Sequence, residues 1–478
     1  MDSSAESVLL ADSPYHNPVL NIGDDSKKQK IREILKGFIL SVSKVKKIVD
    51  VFSEEMRLGL EANPSRKSCF YMANTFVTDY PDGTEDCDVL AMDIGGSNLR
   101  VMLCRLKPGT EPEFRVQHYE LTADQRSGTS AEQFFDQLAK NIGDFISKNP
   151  DISDKRLPLG FTFSFGYEQL ALDKSKILQM GIQTNFPDAY GKCAVQFLRD
   201  AIARQGVNVD VISIANDVTT TLMYGMYLKP ETYVSYILGS GMNAGYLEKV
   251  DRIGRIDPLK TFDKPVESII VNTECGFLGD DGAIDYVKTR WDMELDEESM
   301  IPHSYGFEKL VGAFFFGDLI RRSLLTLAEN QLFVGGLITD ALKQKDSIKA
   351  PDASLVENDK SDDFVTKLLQ RLGYTSAQIT KDDIEIVKYV CSQIAVRNAQ
   401  LIAANIASVV DRIDKPFIRV AIDGSFYKKH PKLHTLITDF IVELVPNNKK
   451  VELFLADDGS GKGSALIAAV AVKQRQKS

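Results

Sequence analysis

The chain has 478 residues, 44 % of them hydrophobic and 26 % charged, with a formal net charge of -10. That length and apolar content suit a sizeable core and two or more domains, while the acidic balance argues against nucleic acid or an anionic membrane as a partner. The six cysteines form no CxxC pair and the five histidines show no metal-ligand spacing, so neither a disulfide scaffold nor a zinc motif is expected.

Residues 1–27 are polar, with two prolines and little periodicity, and read as a mobile tail. The opening Met-Asp-Ser-Ser-Ala-Glu has neither the positive start nor the apolar run of a secretory signal. No stretch of 18 apolar residues occurs, so the expected location is the cytoplasm and no membrane span is expected. From Lys28 to Gly59 apolar residues recur at helical spacing: Ile31, Ile34, Leu35, Phe38, then Val45, Ile48, Val49, Phe52. Short apolar runs then end in small or acidic residues: Val89–Asp93, Leu159–Ser164, Val211–Ala215 and Tyr233–Leu238, followed later by Phe417–Ile422 and Val451–Leu455. Runs of this length separated by helical segments predict mixed α/β sheets. Between them, Glu308–Asp411 reads as mostly helical, with a charged surface loop over 345–363. The last run leads through the Gly459–Gly463 turn into a helix from Ala465. No simple repeat is visible.

Two glycine turns carry the first chemical signal. In Asp93-Ile-Gly-Gly-Ser-Asn-Leu-Arg100 a strand ends in Asp and a turn follows. Gly95 and Gly96 can take backbone angles closed to other residues and expose amide groups, and those amides and the Ser97 hydroxyl can cradle phosphate oxygens. Asp93 would orient magnesium through water. The second turn, Gly239-Ser-Gly-Met-Asn243, also follows an apolar strand, and no Walker loop is present. Between the two turns, Asn216-Asp217 closes a strand, and Asp217 is the candidate base for taking a proton from an attacking hydroxyl.

With further blocks in order, the chain resembles the eukaryotic hexokinase and glucokinase family from about residue 40 to about 474. These blocks are Leu157–Phe165, Asn272-Thr-Glu-Cys-Gly276, Phe307-Glu-Lys-Leu310, Asp423-Gly-Ser-Phe-Tyr-Lys428 and Gly459-Ser-Gly-Lys-Gly463. The resemblance implies a two-lobed α/β fold of the actin-like ATPase, ribonuclease H-like class, with a deep interdomain cleft. It places residues 28–77 and 215–450 in a large domain and 78–214 and 451–478 in a small one. It implies phosphorylation of the 6-hydroxyl of glucose or a related hexose by ATP with Mg2+, by a monomer or homodimer. Asp217 would then be the general base. Ser164, Phe165, Thr184, Asn216, Asn243, Glu274 and Glu308 would hold the sugar. The nucleotide would be held by Asp93, Gly95, Gly96, Ser97, Asn98 and Arg100 on one side and Gly239, Ser240 and Gly241 on the other, with Gly424, Ser425, Gly459, Ser460 and Gly461 at its adenosine end.

The chain also departs from the family. Ser164-Phe165-Gly166 stands where the family has Ser-Phe-Pro, which loosens a turn that proline stiffens. Where the family has Trp-Thr-Lys-Gly-Phe, the chain reads Met180-Gly-Ile-Gln-Thr-Asn-Phe186, so Thr184 falls at the family's threonine or at its lysine, and no lysine remains. Losing that charge-assisted bond costs about 1.5–3 kcal/mol unless a nearby cation such as Lys174 or Lys176 compensates. Cys275 and Val218 replace the family's Trp and Thr. These departures support an alternative, a weakly catalytic or non-catalytic sugar sensor that binds in the same cleft.

Overall fold

The computed structural model describes residues 18–477 except 96, 97, 129, 181–183 and 263. Among the described residues the strands are β1 (Ala73–Asn74), β2 (Cys87–Ile94), β3 (Asn98–Leu106), β4 (Glu113–Glu120), β5 (Leu157–Phe163), β6 (Gly166–Ala171), β7 (Lys174–Gln179), β8 (Val209–Ala215), β9 (Thr232–Leu238), β10 (Met242–Lys249), β11 (Ser268–Asn272), β12 (Phe417–Asp423) and β13 (Lys450–Leu455). All six apolar runs fall on strands, with Ser164 just past the end of β5.

The strands build two main sheets. One has five strands in the order β4-β3-β2-β5-β8; the other has six, β1-β11-β10-β9-β12-β13, and β6 and β7 form a separate hairpin. Apart from β1, the two sheets share one plan. The first three strands of each form an antiparallel meander, and two more add in parallel on the other side of the first strand. The duplication is one of topology, and the sequence does not repeat with it.

Each sheet has its own core. Phe135, Leu138 and Phe145 of helix Ala131–Ser147, with Val195 and Leu198 of helix Ala194–Gln205, join Leu90, Val101, Leu159 and Phe161 of the five-stranded sheet. Tyr236, Tyr246 and Val420 of the six-stranded sheet join Ile394, Leu401 and Ile406 of the long helix Lys381–Asp411, and Val45, Ile48 and Phe52 of helix Val42–Leu60. Burying these faces supplies about 25 cal/mol per Å² of apolar surface, which explains why the helical spacing of 45, 48 and 52 holds.

Two helices cross between the sheets. Helix Asp217–Leu228 leaves β8 of the five-stranded sheet and packs on β9, β10 and β12 of the other. Helix Gly459–Lys477 leaves β13 of the six-stranded sheet and packs on β2, β5 and β8. The two helices pack on one another so closely that a Cβ at Gly463 would lie 1.7 Å from the Thr220 carbonyl oxygen. Both helix N-termini therefore sit where the two sheets meet.

Several expectations are corrected. The expected mobile tail does not reach residue 27: Leu20 and Ile22 are buried in the large core and a helix runs from Asp25, capped by Asp24. The 345–363 segment is not a loop throughout, because Ala350–Asn358 is a helix with Pro351 in its first turn, and it buries Ala350, Ala353 and Val356. Asp352 and Ser354 are buried beside them and Leu355 is exposed, so the segment shows no clean apolar stripe, which hid it. The Gly459–Gly463 segment is the first turn of the last helix, not a turn before it. Strand β13 pairs in parallel with β12, which joins residues 451–455 to the six-stranded sheet.

Candidate functional site

A cavity of about 580 Å³ opens between the two sheets. One end of it is built from residues of four segments. Asn216 caps helix Asp217–Leu228, its Oδ1 accepting from the Val218 amide at 3.0 Å, which turns the Asp217 side chain into the cavity. The Val218 amide also donates to Asp217 Oδ1 at 2.8 Å. Asn243 comes from β10, and its Nδ2 donates to Asn216 Oδ1 at 3.4 Å and to Asn272 Oδ1 at 2.9 Å. Asn272 ends β11 and donates from Nδ2 to Glu274 Oε1 at 2.8 Å. Glu308, in helix Gly306–Val311, accepts from the Met242 amide at 3.1 Å. The amides and acids of this end are therefore wired in one chain, Asn216–Asn243–Asn272–Glu274, with Glu308 fixed by the neighbouring turn.

Electrostatics set the three acids apart. Burial, with the charges of Asp93 and Glu274, pushes the Asp217 carboxyl up to about 7, against bonds from Ser164 and Val218 that pull it down. Burial likewise pushes Glu274 up to about 7, opposed by Asn272 and helped by Glu308. Burial pushes Glu308 to about 7, opposed by the Met242 amide and helped by Asp217. A carboxylate poised near neutrality suits proton transfer.

The other end of the cavity faces the glycine turns. Gly95 from the β2–β3 connection and Arg100 from β3 line it opposite Gly239, Ser240 and Gly241 from the β9–β10 connection. Arg100 pairs with both Asp93 and Asp458, and its Nη2 donates to Ser460 Oγ at 2.8 Å. Ser460 Oγ also donates to Asp93 Oδ2 at 2.8 Å, and its amide donates to Asp423 Oδ2 at 3.1 Å. Gly424 has φ 126° and no room for a side chain, since a Cβ would lie 2.2 Å from the Leu238 carbonyl oxygen. It therefore holds β12 tight against the second glycine turn.

The chain can now be set beside known proteins. Two sequence profiles, both described as hexokinase, match residues 30–227 and 233–470. A hexokinase of Schistosoma mansoni is 32% identical over 457 residues, which is 93% of this chain and 98% of that one. The chain belongs to the hexokinase family. Human hexokinase-1 is 33% identical over 94% of the chain but only 48% of its own length, so this member spans about half the length of its mammalian relatives. Among solved structures, hexokinase from Schistosoma mansoni complexed with glucose superposes with a TM-score of 0.87 at 32% identity, over 94% of this chain and 100% of that one. A second hexokinase crystal structure superposes at 0.75 with 26% identity, over 94% of this chain and 100% of that one. The fold is thus the two-lobed actin-like ATPase fold, and the chain is a hexose phosphotransferase by family.

Of the residues singled out from this hexokinase sequence, Ser164, Phe165, Asn216, Asp217, Asn243, Glu274 and Glu308 line the one cavity, together with Asp93, Gly95, Arg100, Gly239, Ser240, Gly241, Gly424, Ser425 and Ser460. Gly96 and Ser97 lie outside the described residues, and Asn98 opens β3. Three residues are not brought in. Thr184 is buried away from the cavity. Gly459 and Gly461 sit in the first helical turn, packed toward Thr221 and Met102. Lys174 and Lys176 are exposed on β7, Lys176 facing Glu168 at 3.9 Å, so neither stands in for a cavity lysine. Cys275 is buried, with its Sγ 3.5 Å from Asn405 Oδ1.

Other cavity residues escaped the sequence reading. Tyr305 and Glu274 both line the cavity in the left-handed region, at φ 59° and φ 51°, a strained state for residues with side chains. Asp280 holds Tyr305 there, accepting from the Tyr305 amide at 3.2 Å and the Gly306 amide at 2.7 Å, and the ring packs at a tilt of 31° on Phe277, centroids 4.2 Å apart. Asp423 was quoted at the head of a block but given no role. Asn272 was quoted within a block but given no role. His118, Phe314 and Phe315 sit in no motif.

Proposed function

We propose that the chain transfers the terminal phosphoryl group of ATP to the 6-hydroxyl of glucose or a related hexose, with Asp217 as general base. One observation carries the reading: the Asp217 carboxyl shares a single cavity with Asn243, Glu274 and Glu308 on one side and with both glycine turns on the other. The hydroxyl proton passes to the Asp217 carboxylate as the sugar oxygen bonds to the γ-phosphorus, and the bond from that phosphorus to the bridging oxygen breaks to release ADP. Asn216, Asn243, Glu274 and Glu308 match ring hydroxyls as donors and acceptors, and Ser164 and Phe165 border the same end. Magnesium arrives with the nucleotide as part of the substrate, and the Asp93 carboxylate beside the first glycine turn suits a water-bridged contact to it.

The separate cores support two domains, with 28–77 and 215–455 in the large one and 78–214 and 456–478 in the small one. Closing the cleft on the sugar would exclude water that could otherwise accept the phosphoryl group. Among the described residues no helix is long and apolar enough to cross a membrane, and we propose a cytoplasmic enzyme.

A coupled ADP-release assay with glucose, fructose, mannose and N-acetylglucosamine tests the reading. Sugar-dependent turnover that Asp217→Ala abolishes supports it. Sugar binding with no turnover in the unaltered chain would replace it with the sensor alternative.

A further inference from the structure

Charge in the cavity is lopsided. The lining acids are Asp93, Asp217, Glu274, Glu308 and Asp423; among the described lining residues the basic side chains are Arg100 and His118. Arg100 is already committed, because Asp93 and Asp458 both pair with it. Two carboxylates around one guanidinium leave that corner with no positive charge to spare for a polyanion.

His118 stands next to this corner by register. Asp93 on β2 is directly opposite Arg100 on β3, and Arg100 is directly opposite His118 on β4. Residues opposite one another on neighbouring strands share a face, with Cβ atoms about 4.5–5.5 Å apart. Asp93, Arg100 and His118 are thus one row across three strands, and all three line the cavity. The row ends at His118 because β4 is the edge strand of its sheet. The ring is exposed, and no described side chain or backbone group is hydrogen-bonded to it.

We propose that the protonated His118 imidazole is a contact for the phosphates of the nucleotide, a second cation beside Arg100 that makes nucleotide affinity depend on pH. This rests on the reading of the cavity as an ATP site. An imidazole changes charge between pH 5 and 8, so the contact is present in acid and lost in base. The groups that bear on it are Arg100 and Asp93 in the row, Glu120 two residues along β4, and Asp458 ahead of the last helix, whose charge interacts with both His118 and Lys462.

The test measures binding of a non-hydrolysable ATP analogue with magnesium by calorimetry from pH 6 to 8.5, for the unaltered chain, His118→Gln and His118→Lys. The analogue's terminal phosphate titrates in the same range, so the comparison between variants is what is read. The unaltered chain should bind about 3- to 10-fold more tightly than His118→Gln at pH 6 and converge with it by pH 8.5. His118→Lys should keep the tight affinity across the range, since an ammonium stays charged. Glucose binding should be the same in all three. An identical pH dependence in the unaltered chain and His118→Gln overturns the proposal alone. An unaltered chain that binds no nucleotide overturns the ATP reading and this proposal together.

Discussion

The Met242 amide donates to Glu308 Oε2 at 3.1 Å, and this bond ties the second glycine turn to an acid at the sugar end of the cavity. Gly241, the residue before, makes the approach possible, because a Cβ there would lie 2.3 Å from the same Glu308 oxygen. The turn proposed to hold phosphate and the carboxylate proposed to hold sugar are therefore positioned by one another.

That contact predicts the effect of Gly241→Ala. The new methyl would push the Glu308 carboxylate off its amide and out of the geometry that meets a hydroxyl. Losing a hydrogen bond to a charged group costs about 1.5–3 kcal/mol, so the KM for hexose should rise roughly 10- to 100-fold. Steady-state kinetics with both substrates varied checks this. A KM shift confined to ATP would mean that Glu308 does not contact the sugar.

Asp217 predicts a pH profile. A base works in its deprotonated form, and this carboxyl is pushed up to about 7. The rate should therefore climb from pH 5.5 and level off above about 7.5. Asp217→Asn keeps the size and the bond from the Val218 amide but cannot take the proton. It should lower kcat about 10²- to 10⁴-fold with little change in the KM for hexose, and a pre-steady-state comparison over the same pH range should show the climb only in the unaltered chain.

The same three acids predict a stability cost at high pH. Asp217, Glu274 and Glu308 are each raised to about 7, mainly by burial, whereas unfolded carboxyls titrate near about 4. The folded state thus holds more protons between those values. The stabilisation from these groups is complete below about pH 4, falls as pH rises, and is lost above about 7. Glu274→Gln removes one of these burdens. Its Tm should exceed that of the unaltered chain by about 2 °C at pH 8, for on the order of 1 kcal/mol regained, and should not exceed it at pH 4.5. Scanning calorimetry without sugar is the measurement.

Legibility followed backbone demand. Gly95 and Gly239 were readable because tight turns after strands admit few other residues, and Asp93, Asn216 and Asp217 because a polar residue closing an apolar run stands out, whereas Gly424 came only through the resemblance. Asn243, Glu274 and Glu308 were readable only through the resemblance, since a lone surface carboxylate looks the same. Tyr305 gave no signal, because its place depends on Asp280 capturing the Tyr305 and Gly306 amides from another loop. His118 was hidden in an edge strand whose register with Arg100 no local pattern encodes. Thr184 misled in the opposite direction: its alignment with a family position says nothing about which way the side chain turns, and it is buried. The paired sheets were invisible as a repeat because burial constrains the alternation of strands but not their identities.

Asn272 offers the most selective test of the sugar end. Its Oδ1 accepts from Asn243 Nδ2 at 2.9 Å while its Nδ2 donates to Glu274 Oε1 at 2.8 Å, so the amide is an adaptor between a donor and an acid. Asn272→Asp preserves the first bond and replaces the second with two oxygens facing one another. Carboxylates that close cannot both ionise easily. At pH 8 the pair should splay, Glu274 should leave its place, and hexose binding measured by calorimetry should weaken about 10-fold or more. Near pH 5.5 one shared proton restores a donor between the oxygens, and most of the lost affinity should return. Asn272→Ala has no such proton to share, so its weakened binding should stay weak at both pH values. Equal behaviour of the two variants across pH would show that Asn272 fills space at this end rather than orienting Glu274.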